Sequence, residues 1–273
     1  MSNTKLQRIN AHERDEHILF FEDGHKYMIK TDPKSKYTSV TTWVHQQFPK
    51  FNADEIISKI MSGPKWTPEN KYWGMSVQDI KGEWDRNRDE AAKAGTEMHY
   101  QIECFMNGGA EGQSPSHKDL LVNVCDHQDN SKDWSMFLKF VEDFPELKPF
   151  RTEWMVYHED LKLAGSIDMV YQNSDGTLSI YDWKRSKEIT KDAWGKTGIS
   201  KKFKDVPHSN FYHYSLQLNV YKYILEEKYG CSVKDLFLVR IHPDSDEYEL
   251  IEVPVIDIFG KPIVSFNKCL ISI

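Results

Sequence analysis

Acidic and basic residues crowd the stretch RTEWMVYHEDLKLAGSIDMVYQNSDGTLSIYDWKRSK, residues 151–187, at spacings suited to holding a cation. Alternating hydrophobicity and turn residues predict short strands over 151–158, 163–172 and 177–183. A three-residue loop at Ser174-Asp175-Gly176, with the glycine left-handed, is a common hairpin connection. In that register Asn173 faces Thr177, Val170 faces Ile180 and Asp168 faces Asp182. Directly opposed side chains have Cβ atoms roughly 4.5–5.5 Å apart, and like charges there repel. Two carboxylates so placed need a cation between them, or a proton. A two-residue turn at Asp175-Gly176 would shift the register and separate them. Strand alternation also puts Leu178, Ile180, Asp182 and Lys184 on one face. Glu153, on the preceding strand, comes abreast of Asp168 after the turn at Glu159-Asp160. Taken alone, Asp182 and Lys184 read as an exposed ion pair. With Asp168 and Glu153 on the same small sheet end, the set is oxygen-rich and suits Mg²⁺ or Mn²⁺.

Other residues stand out along the chain. His99 and Glu103 are one helical turn apart, beside an apolar face of Met98, Ile102 and Phe105. On that spacing alone, His99 is a packing residue at the margin of a core. Gln217 and Tyr221 share a face in the same way and read alone as the edge of an amphipathic helix. Thr96, after Gly95, is placed to cap the helix that carries His99. From Lys184 to Lys204 there are eight Lys or Arg against two acids, a local net of +6 in a chain of net charge −7. This run includes Arg185, Lys187, Lys201, Lys202 and Lys204, begins beside Trp183 and contains Trp194 and Phe203. Charge runs are ordinarily solvated surface. Cations interleaved with aromatics also suit a single nucleic-acid strand, with phosphates neutralised and bases stacked.

The order Glu153, Gly165-Ser166-Ile167-Asp168, then Asp182-Trp183-Lys184, resembles the PD-(D/E)XK nuclease superfamily. More narrowly it resembles the RecB-like branch, which includes the mitochondrial genome maintenance exonuclease and many viral and phage nucleases. Gly95-Thr96-Glu97-Met98-His99 is similar to that branch's G-T-x-x-H helix, and Gln217-Leu218-Asn219-Val220-Tyr221 to its Q-x-x-x-Y helix. The resemblance implies an α/β (mixed α+β) fold with a restriction-endonuclease-like core, a central mixed sheet flanked by helices. It implies that His99, Asp168, Asp182 and the main-chain carbonyl of Trp183 bind one or two Mg²⁺ or Mn²⁺ ions. Lys184 then orients the attacking water and stabilises charge in the transition state. Glu153 holds Lys184 or an outer-shell water, with direct ligation of the metal the weaker option, and Glu103 either orients His99 or is solvated. Gln217 lies beside the lysine and the substrate phosphate, with Tyr221 supporting it. The helix start at Thr96 faces the nucleic-acid backbone, which suits a helix N-terminus.

No Cys or Ser nearby resembles an activated nucleophile, so direct attack by water is favoured. The activity implied is metal-dependent DNA cleavage, foremost by an exonuclease acting on single-stranded or end-containing DNA in replication, recombination or repair. The alternatives are a structure-specific or flap endonuclease and a catalytically silent nucleic-acid-binding module; the clustered like charges argue against silence.

These groups must be positioned by elements that the pattern also outlines. A hairpin covers 17–30 around Asp23-Gly24. The β-branched stretch YTSVTTWV leads to FNADEIISKI, a short helix that Asn52 can cap. A helix runs from about 76 to 94, is punctuated at Gly95-Thr96, and gives way to a second over roughly 97–107. A polar loop at 108–119 precedes a helix at about 133–144 with Trp134, Phe137, Leu138 and Val141 on one stripe. After the meander come a helix near 211–229 and strands around 235–242 and 247–254. That order predicts a mixed sheet with helices packed on it. With no repeat or linker, the expectation is a single nuclease domain. Residues 1–75 form its N-terminal hairpin and helical elaboration, 76–254 its core, and 255–273 a C-terminal tail.

Composition narrows the classes. The 273 residues are 39% hydrophobic, enough for a substantial core, which excludes a disordered chain. The net charge of −7 argues against coating nucleic acid by bulk charge. Cys104, Cys125, Cys231 and Cys269 are too scattered for a zinc cage or a disulfide framework, and lack the grouping of the iron–sulfur cluster some RecB-like nucleases carry. They read as free thiols in a reducing compartment. There is no Walker A sequence, hence no nucleotide cofactor, and any helicase or recombination motor is a separate partner. No apolar stretch approaches the roughly 18 residues of a membrane span. MSNTKLQRIN lacks a secretion signal, so the expected location is intracellular, in the cytoplasm or a host cell.

Overall fold

The structure, a computed structural model, describes residues 4–109, 112, 114–122 and 131–259. Cys125, Cys269 and residues 260–273 of the expected tail lie outside them. Helix α1 (Lys5–Ile9) and a 3-10 turn over Glu13–His17 lead into the hairpin β1 (Ile18–Phe21) and β2 (Lys26–Ile29). Then follow β3 (Thr38–Ser39), α2 (Val40–His45), α3 (Ala53–Ser62), α4 (Val77–Met106), α5 (His117–Leu121) and α6 (Lys132–Asp143). The meander is β4 (Lys148–His158), β5 (Leu163–Gln172) and β6 (Leu178–Arg185), and the chain continues as α7 (Asn210–Lys228), β7 (Val233–Ile241) and β8 (Glu249–Glu252). Two compact units result, one from Lys50–Glu97 and one from the rest, with α4 running through the boundary. Among the described residues no helix is long and apolar enough to cross a membrane.

One local expectation needs correcting. The helix at residue 76 does not stop at Gly95: α4 is continuous from Val77 to Met106. A single interior glycine costs only about 1 kcal/mol relative to alanine, and good helix formers flank it on both sides. The Thr96 hydroxyl donates back to the Ala92 carbonyl at 3.0 Å, the habit of a threonine inside a helix. The helix start that made Thr96 a phosphate contact is therefore absent. In YTSVTTWV, only Thr38–Ser39 is extended. Ser39 Oγ accepts the Thr42 N–H at 3.1 Å, capping α2 and turning the β-branched residues helical. Val40 and Val44, one turn apart, are then buried.

The hairpin β5–β6 closes in the expected register, Val170 opposite Ile180, with Gly176 at φ +82. Around it stands a six-stranded mixed sheet in the order β3-β5-β6-β7-β8, with β4 also antiparallel to β5. The sheet forks at its centre. On one side of β5, β3 pairs with Leu163–Ala164 and β6 with Met169–Gln172, so residues 165–168 fall between the two partners. Beyond Tyr181, β6 continues alongside β7 alone, to Arg185 opposite Ile241.

Each face of the sheet is covered. Helix α7 packs Leu216, Val220 and Ile224 against Ile167, Val170, Ile180 and Leu238. The C-terminal part of α4 and helix α6 pack Ile102, Phe105, Phe137 and Phe140 against Met169, Tyr171, Tyr181 and Trp183. Strand alternation on β6 therefore sends Tyr181 and Trp183 to one core and leaves Asp182 and Lys184 on the α7 side. On β5 alternation breaks: Ile167 joins the α7 core and Met169 the opposite one. The break falls at Asp168.

Candidate active site

The flanking pairs Thr152↔Met169 and Trp154↔Ile167 set Glu153 across from Asp168. Glu153 has φ +43, in the left-handed region. A non-glycine residue held there inside a strand is strained, and such strain concentrates at functional sites. His99 reaches the same place from α4. Its Nδ1 lies 3.6 Å from Asp168 Oδ2 and 3.7 Å from Glu153 Oε1, and its Nε2 is 3.0 Å from the Trp183 carbonyl oxygen. Ligand atoms of His99, Glu153 and Asp168 all lie within 4.8 Å of one another. Ser166 Oγ donates to Glu153 Oε2 at 2.9 Å and steadies it.

The second acid sits with the lysine. Asp182, only 2% exposed, has Oδ2 at 2.5 Å from Lys184 Nζ and, among the described residues, takes no other partner there. Gln217 Nε2, from α7, donates to Asp182 Oδ1 at 3.3 Å. The Lys184 ammonium also lies over the Tyr214 ring, 4.7 Å from its centroid. The two groups are joined by the backbone of Trp183, whose N–H donates to Asp168 Oδ2 at 3.0 Å while its carbonyl meets His99.

Protonation follows from burial and from these neighbours. Burial pushes the Asp168 and Asp182 carboxyls up, Asp182 to about 6; Glu153 adds to the shift of Asp168 and Asp168 to that of Asp182, while Lys184 opposes both. Burial works against a charged His99, but Asp168 and Glu153 overcome it and hold the imidazole up to about 9. Burial likewise opposes the Lys184 charge, and Asp182 and Asp168 outweigh it, so the ammonium persists above its ordinary range. Without a cation, protons balance the charge of the acids. One imidazole nitrogen, several carboxylate oxygens and a buried Asp182 oxygen tied only to a lysine are a donor set that fits a divalent metal ion.

Residues 82–257, well over half of the chain, match the family model of the PD-(D/E)XK nuclease superfamily. The chain belongs to that superfamily. Among curated proteins none matches it. PD-(D/E)XK nucleases are phosphodiester hydrolases that use divalent metal ions and act on DNA, and the matched span of this nuclease contains the complete cluster just described. The mixed sheet between helices is the restriction-endonuclease-like arrangement of this superfamily.

The remaining sequence-derived residues fall in several places. Tyr221 is buried against Gly165: a Cβ on that glycine would stand 2.6 Å from the Tyr221 hydroxyl. Glu103 is half-buried, its carboxyl raised by burial and by Glu153. Arg185 is engaged with Asp133 at 2.7 Å and Lys187 with Asp244 at 2.6 Å. Lys201, Lys202 and Lys204 are exposed. Trp183 and Phe203 are each only 2% exposed, which removes them as base-stacking partners in the basic run.

Three neighbours of the site were not foreseen. Ser166 lies inside the quoted Gly165–Asp168 motif, and Tyr214 is three residues before Gln217 on the same helix, so spacing could have found both. Tyr27, on β2, is pushed up to about 12 by burial and by Glu153. Its arrival depends on where the N-terminal hairpin docks, which no local pattern reveals.

Proposed function

We propose that this nuclease is a RecB-like exonuclease that degrades DNA from an end, with Mg²⁺ or Mn²⁺ held by Asp168, His99 and Glu153 and completed by Asp182. The observation that carries the reading is the meeting of His99 from α4, Asp168 from β5, and Asp182 with Lys184 from β6, while Gln217 from α7 donates to Asp182. The motif order from Gly95 to Tyr221 supports the branch.

Bound there, a divalent ion supplies Lewis-acid polarisation of the phosphodiester and makes water a better nucleophile. Lys184 remains an ammonium at neutral pH, so it serves as a cation beside the negative charge of the transition state and not as a general base. Asp182 and the Tyr214 ring hold its Nζ in place, and Gln217 fixes the orientation of Asp182. His99, with Nε2 toward the Trp183 carbonyl, turns Nδ1 toward the two acids. The exposed lysines Lys201, Lys202 and Lys204 contact phosphates of the incoming strand.

Digestion of 5′- and 3′-labelled single- and double-stranded DNA, beside covalently closed circles, in Mg²⁺ or Mn²⁺ tests this. Linear DNA is expected to shorten from one labelled end while closed circles survive. Cutting of closed circles would make the protein an endonuclease, and no cleavage in either metal would remove the reading.

A further inference from the structure

Of the aromatics in the basic run, Trp183 and Phe203 belong to the cores, but Trp194 is 86% exposed. Its backbone lies in the left-handed region, φ +51, and Gly195 follows at φ +74. A bulky L-residue disfavours that conformation. Local hydrogen bonds hold it nonetheless. The Trp194 N–H donates to Asp192 Oδ1 at 3.0 Å, the Asp192 N–H to Thr190 Oγ1 at 3.0 Å, and the Lys196 N–H to the Ala193 carbonyl at 2.8 Å. The surrounding segment is anchored too, with Gly198 N–H on the Val206 carbonyl at 3.0 Å and Ile199 N–H on the Gln47 carbonyl at 2.8 Å. The indole is thus presented on a fixed turn.

A large aromatic left in water, on a backbone its own side chain disfavours, gains little burial in the folded chain. Its use lies in what it meets. The segment has a local net charge of +6, and Lys191 and Lys196 lie on either side of Trp194 in the sequence. Phosphates are the complement of that charge, and a free base face is the complement of the indole. A duplex keeps its bases stacked on one another, whereas an unpaired strand offers a base to a protein ring. We propose that Trp194 stacks against an unpaired nucleobase, which makes a single-stranded or frayed DNA end the substrate class of this site. The proposal rests on the reading of the basic segment as part of a DNA nuclease.

Binding by the full chain is measured in Ca²⁺, which occupies hard oxygen sites without rapid cleavage, against oligo-dT, an abasic strand of equal length and a blunt duplex. Trp194→Ala is expected to weaken oligo-dT binding about 5- to 150-fold, the range for losing one stacked base, and to leave the abasic strand and the duplex unchanged. Trp194→Phe recovers most of the loss. Stacking releases no counterions, so the dependence of log K on log salt keeps its wild-type slope in Trp194→Ala. Replacing Lys201, Lys202 and Lys204 with Ala changes that slope by about 2 to 3 units. Unchanged oligo-dT affinity in Trp194→Ala, or equal losses on all three ligands, overturns the proposal. If wild-type protein binds DNA and only the lysine variant is impaired, stacking alone is refuted. A wild-type chain that binds none of the three ligands takes the nuclease reading down with it.

Discussion

Asp168 Oδ2 accepts the main-chain N–H of Trp183 at 3.0 Å. The first acid of the site is thereby tied to the backbone between the second acid and the lysine, at the point where β5 and β6 part. A side chain has replaced a strand partner there. The strand pairing ends at Met169 and Tyr181, and the fork beyond it is lined by His99, Glu153 and Asp168 on one side and by Asp182 and Lys184 on the other.

Replacing Asp182 with Asn should lower the cleavage rate by at least ~100-fold, the scale of losing one electrostatic partner in a transition state. Folding should survive. Burial raises the carboxyl to about 6, so at pH 7 its ionised form is costly in the folded metal-free protein, and a neutral amide avoids that cost. Thermal unfolding in chelator is expected to give an equal or higher Tm, and a marked drop would show that the ion pair with Lys184 stabilises the fold instead.

Lys184→Ala should reduce kcat by about 10²- to 10³-fold while KM for DNA changes little, because the ammonium acts mainly on charge that develops in the transition state. Steady-state kinetics at several DNA concentrations check the split. A variant that cleaves normally at saturation but needs far more DNA would reduce Lys184 to a phosphate contact.

Metal-free stability should fall as pH rises. His99 has a folded pKa of about 9 against 6.5 for the free group, and Asp182 about 6 against 3.8. Both are raised, so each stabilises the fold below its unfolded pKa and loses that contribution as pH climbs through the folded value. Between pH 6.5 and 9 the loss from His99 is on the order of 1–3 kcal/mol. Divalent ions compete with those protons, so Mg²⁺ or Mn²⁺ should raise Tm more at pH 9 than at pH 6.5. Differential scanning across that range, repeated with His99→Gln to flatten the step, makes the comparison. A metal-induced shift that ignores pH would contradict it.

Gly165→Ala should destabilise the protein by about 1–3 kcal/mol through overpacking, because the added methyl would meet the Tyr221 hydroxyl at 2.6 Å and its ring carbon Cε1 at 2.8 Å. Tyr221→Phe in the same chain removes the nearer contact and should restore part of the loss. Urea denaturation of the two variants decides, and an undisturbed single variant would mean that α7 can shift away from β5 at no cost.

Much of this site was legible in the chain itself. The Ser174-Asp175-Gly176 loop, alternation along 178–184 and the turn after His158 are local properties, and they put Val170 opposite Ile180 and Glu153 opposite Asp168. The order of the His99, Asp168, Asp182-x-Lys184 and Gln217 motifs pointed to the superfamily whose model residues 82–257 match. Local rules failed where an intrinsic preference was weak against its surroundings. Gly95 did not end α4, which runs unbroken from Val77 to Met106.

Tertiary structure decided how the charges were shared. The chain's spacing made Asp168 and Asp182 one opposed pair, yet Asp168 joins His99 and Glu153, while Asp182 joins Lys184 and Gln217. The switch depends on the left-handed backbone at Glu153, the break in alternation at Asp168, and the docking of α4 and α7 on opposite faces of the sheet. The basic run shows the same division. Composition marks residues 184–204 as cationic and aromatic, but only packing sends Phe203 into the core and leaves Trp194 in water. Spacing along a strand or helix is set by covalent geometry and is written in every short window of sequence. Which face meets which is set by burial across the whole chain, and no short window contains it.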